Sequence, residues 1–152
     1  MKLAQALITR ADMQTRMREL QQRLCDNAIV QEGETCAEDP NEMLSELEAL
    51  SAKLEKLIVA INLTNAHVEQ DGETLTAMLA RRDCMKQRIG ALSEVIRCAS
   101  MTGERARGSE IKLLPAVPVR ELRANLDRQS AELRCLDMRI QELNWTSELE
   151  EA

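Results

Sequence analysis

The sequence predicts an all-α fold of four long antiparallel helices, packed as a bundle or in coiled-coil fashion. An extended arm or short β-hairpin joins the third to the fourth. Three observations predict it. Apolar residues recur at alternating steps of three and four along four separate segments, the seam of helices that pack nearly side by side. The composition is helical: Leu, Ala, Met, Glu, Gln and Arg dominate, Tyr and Phe are absent, and aromatic residues make up 1%. A sandwich or barrel draws instead on β-branched and aromatic residues. Cap and turn residues fall in the gaps between the four segments.

The first segment carries Leu3, Ala6, Met13, Met17, Leu20 and Leu24, with Arg10 in one apolar slot. Gly33 and the polar run from Gln31 to Glu38 end it. Asp39 can cap the second helix, Pro40 suits its first turn, and Glu42 stands where a capping box places a carboxylate. Its seam is Met43, Leu47, Leu50, Leu54, Leu57 and Ile61, without a break. Asp71-Gly72 is a turn signal, after which Thr74 can cap the third helix. That seam runs Leu75, Met78, Met85, Ile89, Leu92, Ile96 and Ala99, with Arg82 in one slot. Gly90 weakens this helix by about 1 kcal/mol relative to Ala. Pro118 opens the fourth helix, whose seam is Val119, Leu122, Leu126, Leu133, Leu136, Ile140 and Leu143, with Gln129 in one slot. Each helix is expected to run about 25 to 30 residues, roughly 40 Å at 1.5 Å per residue.

The third connection, residues 101–118, is long for a helix-to-helix loop. It holds Gly103 and Gly108, then Ser109 to Leu114, which alternates like a strand. A two-stranded hairpin is marginal alone in water, so the arm is expected to lie against the bundle or another subunit. Residues 1–152 otherwise read as a single helical domain by length.

Charge and composition exclude several functions. The 20 Lys and Arg are interspersed with 26 Asp and Glu, for a net charge of -6. That does not suit bulk attraction to nucleic acid, and one tryptophan, Trp145, offers almost nothing for bases to stack on. Met1 to Met13 includes Arg10 and Asp12, which do not fit a secretory signal. The apolar run from Leu57 to Leu63 is interrupted by Asn62 and is too short to span a bilayer. The expected location is the cytoplasm, with no membrane partner. The five cysteines, Cys25, Cys36, Cys84, Cys98 and Cys135, then read as reduced packing residues.

Two constellations could carry chemistry. With the helices alternating up and down, Arg10 and Arg82 each lie about 15 Å from the start of their helices by the rise per residue. The ends of helices two and four come to the same level. Arg10, Asn62, Asn65, Arg82, Asp83 and Asn144 thus gather near one end of the bundle. Buried guanidinium groups demand partners. The set reads as an anion or small-ligand site, as a polar layer that fixes register or subunit pairing, or as arginines that snorkel out to solvent. The second constellation is His67 with Glu69, Asp71 and Glu73. One imidazole and three carboxylates are donors for a divalent metal, and a solvated acidic loop is the other reading. No motif calls for another cofactor. No catalytic nucleophile can be argued, since His67 is the only histidine. Gly103 to Gly108 has the gap of a phosphate-binding loop, but Ser109 stands where Lys is needed.

Several stretches in order suggest a family: Arg10-Ala11-Asp12, Asn27 to Glu34, Glu38-Asp39-Pro40, Ile61 to Asn65, Ser109 to Lys112, and Asn144 to Leu149. With these gaps the chain resembles the small bacterial proteins that carry the septicolysin name. The resemblance implies an all-helical, oligomeric protein, with a ring such as a hexamer as its assembly, and implies no catalytic residue. One departure is Leu113, where the resemblance leads us to expect an aromatic. A cytolysin is not supported by the residues themselves, which include no aromatic membrane-inserting tip.

Apolar residues outside the seams, such as Leu7, Leu44, Ile58, Leu63, Leu79 and Val95, widen the stripes. The expectation is therefore a non-catalytic, self-assembling homo-oligomer, a scaffold or interaction module. The alternative is a ligand- or metal-binding protein with its site at the polar end.

Overall fold

The computed structural model describes residues 1–101 and 113–150. Its elements are α1 (Leu3–Asp26), α2 (Pro40–His67), β1 (Glu69–Gln70), β2 (Glu73–Thr74), α3 (Leu75–Ser100) and, after the connection, α4 (Val119–Thr146). The fold is all-α with four long helices, as the periodicity predicts. Most of the arm expected at 101–118 lies outside the described residues. The described hairpin lies instead between α2 and α3, where Asp71 and Gly72 take φ of 56° and 78°. Two successive residues with positive φ match the twist of paired strands. They close a two-residue turn that pairs Glu69 with Thr74 and Gln70 with Glu73. Thr74, expected as a cap, is the last residue of β2, directly before α3.

The chain groups into two compact units. The first comprises Met1–Thr74 with Leu143–Ala152, and the second Leu75–Glu142. In the first unit α1 and α2 run antiparallel. Arg16 donates to Glu46 at 2.9 Å, and Arg23 forms a two-bond pair with Glu38. Pairing of rising with falling numbers fixes the direction. α1 ends at Asp26, earlier than Gly33, because Asn27 caps it: the side-chain amide donates to Arg23 O at 2.9 Å. The same side chain accepts from the Glu38 N–H, so one residue closes α1 and ties down the loop. The Asp39 carboxylate accepts from Asn41 N–H at 2.8 Å and Pro40 occupies the first position of α2.

The chain ends meet in this unit. Lys2 and Glu148 form an antiparallel bridge. Leu3 N–H donates to Ser147 O at 3.0 Å, and Leu149 N–H to Met1 O at 2.8 Å. Thr64, fully buried on α2, donates to Ala60 O at 2.8 Å and accepts from Glu150 N–H at 2.9 Å. His67, in the last turn of α2, donates through Nδ1 to Glu150 at 2.8 Å.

In the second unit α3 and the body of α4 run antiparallel. Arg123 lies by Ser100, Arg88 and Leu92 flank Asn125 and Gln129, and Arg81 and Met85 flank Cys135 and Arg139. Leu75, Met78, Ile96, Leu136 and Ile140 are buried here. Across both units, every buried apolar residue among those described belongs to a predicted seam, except Ala4 and Ala60. The cysteines depart from expectation: Cys25, Cys84, Cys98 and Cys135 are exposed and Cys36 is half-buried. Cys84, Cys98 and Cys135 each sit one position from a seam residue, and the roughly 100° turn per residue carries such a neighbour off the packed face.

Candidate functional site

Arg10, Asn62, Asn65 and Asn144 all fall in the first unit. Asn144 is buried, Asn65 half-buried and Asn62 exposed. Arg10 is half-buried on α1, and its Nε is enclosed with no hydrogen-bond partner among the described residues. Arg82 and Asp83 belong to the second unit, where the Arg82 guanidinium donates twice to Asp83 Oδ1, at 2.9 and 2.8 Å. That guanidinium finds its counterion in the next residue of its own helix.

His67 ends α2, and Glu69 and Glu73 lie on the two strands with Asp71 in the turn between them. Among the described residues no group of three or more His, Cys, Asp or Glu side chains is placed to hold a metal ion. The imidazole faces Glu150 instead. A carboxylate 83 residues away is a partner that local spacing could not supply.

The clasp of the chain ends has its own electrostatics. Lys2 Nζ lies 2.8 Å from Glu148, and the Met1 ammonium 3.2 Å from the same carboxylate. The hydrogen bonds from these two cations, Lys2 first, hold the Glu148 carboxyl below its ordinary range. A carboxyl depressed in the folded state adds stability above its unfolded pKa, and that stability is lost as pH falls through the folded value. We therefore expect the Leu3 and Leu149 amides to lose exchange protection as pH falls below the ordinary carboxylate range. Glu148→Gln should remove that part of the pH dependence. Arg23 lowers Glu38 in the same way, and Arg97 lowers Glu94.

Each unit carries concavities of its own. In the first unit a groove of about 570 Å³ has an apolar floor that includes Met13, Leu57, Ala60 and Leu149, with Lys53 and Lys56 on its rim. Neither lysine has an ion pair among the described residues. In the second unit, adjoining clefts of about 370 and 470 Å³ share Arg128 and Glu132. Gln129 is buried and lines the smaller cleft. Its amide nitrogen donates to Asn125 Oδ1 at 3.0 Å, while its Oε1 is enclosed without a partner among the described residues. An unsatisfied buried acceptor costs more than its partnered neighbour returns. Gln129→Leu is expected to stabilise the protein by about 1 kcal/mol, read as a higher midpoint in urea. Asn125 keeps its bond from Arg128 in that variant.

The lysine-rimmed groove and the clasp, with Lys2, Thr64, Glu148 and Glu150, were not legible in the sequence. The only signal was opposite charge at the two chain ends. Among the described residues no helix is long and apolar enough to cross a membrane.

Comparison with known proteins gives the chain its relatives without giving it an activity. A crystal structure described as that of a functionally unknown conserved protein from Corynebacterium diphtheriae is similar to it throughout. The two share 40% sequence identity and a TM-score of 0.91, over 99% of each chain. No curated protein matches. Neither the family match nor this structure carries the septicolysin name, so the resemblance holds only at the coarser level of a helical protein of unknown role. The family model matches residues 10–149, nearly the whole chain, and on that match the protein belongs to the family of unknown function DUF6847.

Proposed function

We propose that this protein works by self-assembly, as a non-catalytic scaffold or interaction module whose helix faces and loops are its working surfaces. The observation that carries this reading is the incomplete core of α2. Its seam is buried at Met43 and Ile61, but Leu47, Leu50, Leu54 and Leu57 between them are only half-buried. Leu44 and Val59 lie exposed on the same helix. A stripe this wide and this open is the mark of a surface completed by another chain. Copies of one chain usually close such surfaces by symmetry, and a ring such as a hexamer is one closed form. The unpaired cysteines suit a reducing compartment, and we place the protein in the cytoplasm. Light scattering on the purified chain tests the reading. A mass at a multiple of 17.1 kDa is expected, and a monomer at high micromolar concentration overturns it.

A second reading, binding of a small anion, is favoured by the unpartnered Nε of Arg10. An enclosed guanidinium nitrogen without an acceptor is costly, and an anion would supply one. Calorimetric titration with inorganic phosphate tests it. Heat that disappears in Arg10→Met supports an anion site, whereas equal or absent heat in both proteins leaves Arg10 a structural residue.

A further inference from the structure

The loop between α1 and α2 holds the most exposed large apolar side chain among the described residues. Ile29 is 91% exposed, and Val30 beside it is exposed as well. Two carboxylates follow, Glu32 and Glu34, both exposed and without ion pairs among the described residues. A loop that must stay in water does not ordinarily carry two aliphatic side chains at its surface. The segment is also held in place. Asn27 and Glu38 are hydrogen-bonded to each other, and Arg23 grips Glu38, so the loop is anchored at both ends.

The groove of the first unit has the complementary pattern: an apolar floor at Met13, Leu57, Ala60 and Leu149, rimmed by Lys53 and Lys56, with one carboxylate in the lining, Glu150, which is engaged by His67. Two aliphatic residues and two carboxylates on the loop match an apolar floor and two ammonium groups in the groove. The loop cannot fill the groove of its own chain. The groove touches α1 at Thr9 and Met13, and α1 runs on to Asp26 before the loop begins. That separation is roughly 20 Å of helix, and the anchored loop cannot turn back across it.

We propose that a second copy of this chain seats Ile29 and Val30 on the apolar floor and brings Glu32 and Glu34 against Lys53 and Lys56. This rests on the self-assembly reading and deepens it by naming the two surfaces. The contact is head-to-tail, so each copy offers one loop and one groove, and the series closes into a ring or extends as a filament.

Charge reversal tests it. Glu32→Lys with Glu34→Lys, and separately Lys53→Glu with Lys56→Glu, each replace two attractions by two repulsions. Each double variant is expected to raise the dissociation constant of the assembly about thirtyfold, with helix content by circular dichroism unchanged. The quadruple variant restores the complementarity and should reassemble, as should a mixture of the two doubles, in which each loop meets an opposite groove. A wild-type monomer overturns the self-assembly reading and this contact with it. A wild-type oligomer whose double variants assemble equally well overturns this contact alone. Double variants that dissociate without rescue in the quadruple overturn the pairing of these four charges.

Discussion

Leu20→Ala should cost about 3 kcal/mol of stability, the usual loss for a fully buried leucine whose site collapses only in part. Leu20 is wholly inaccessible to solvent on α1. The Arg16–Glu46 and Arg23–Glu38 pairs set the register of α1 against α2, which brings Leu20 to the height of Met43, also buried. The cavity thus opens where the two helices hold each other. In a chain of this length the loss corresponds to a melting temperature lower by roughly 10 °C. Leu54→Ala, at a half-buried seam position, provides the control and should cost clearly less. Equal losses at the two sites would mean that the middle of the helices is covered by something that the single chain does not supply.

Thr64→Val should cost about 1 to 2 kcal/mol, although valine has nearly the shape of threonine. The hydroxyl is fully buried, gives its proton to Ala60 O and accepts from the Glu150 N–H. Valine keeps the volume and removes the acceptor, leaving the Glu150 amide without its partner. Hydrogen exchange gives the sharper reading. Protection should fall at Glu150 and Leu149 while the amides in the middle of α2 keep theirs. Loss of protection along the whole of α2 would show that Thr64 supports its helix rather than the chain end.

The four helices were legible because burial repeats with the helical period, and a slot pattern survives even when a slot holds Gln129 or Arg82. The start of α2 was legible because Asp39 and Pro40 act locally. The end of α1 was not. Asn27 caps it with the help of Glu38, eleven residues on, and no window of local propensity contains that contact. The hairpin was half legible: Asp71-Gly72 announces a turn, but two-residue strands are too short to show alternation. The metal reading of His67 with Glu69, Asp71 and Glu73 treated closeness in sequence as closeness in space. The hairpin register pairs Glu69 with Thr74 and Gln70 with Glu73, which sets Glu69 and Glu73 on opposite faces, and the imidazole turns to Glu150. Lys53 and Lys56 read as ordinary solvated charges because only the fold sets an apolar floor beside them.

The bridge between Lys2 and Glu148 also bears on how the protein is made. Lys2 reaches across 144 residues of sequence to the carbonyl of Thr146, so of the two units the one begun earlier is finished later. When the ribosome has released α1, α2 and the small hairpin, the edge at Lys2 lacks its partner, and the Thr64 hydroxyl, already bonded to Ala60 O, still lacks the Glu150 N–H. The whole of Leu75–Glu142 must follow before those partners emerge, a delay of about 4 to 15 s at ordinary rates of synthesis. The second unit, made from one unbroken stretch, faces no such wait. A nascent chain whose residues through Glu142 have left the ribosome therefore holds all of the second unit and a first unit with an open edge. Translation itself orders the closing of the two.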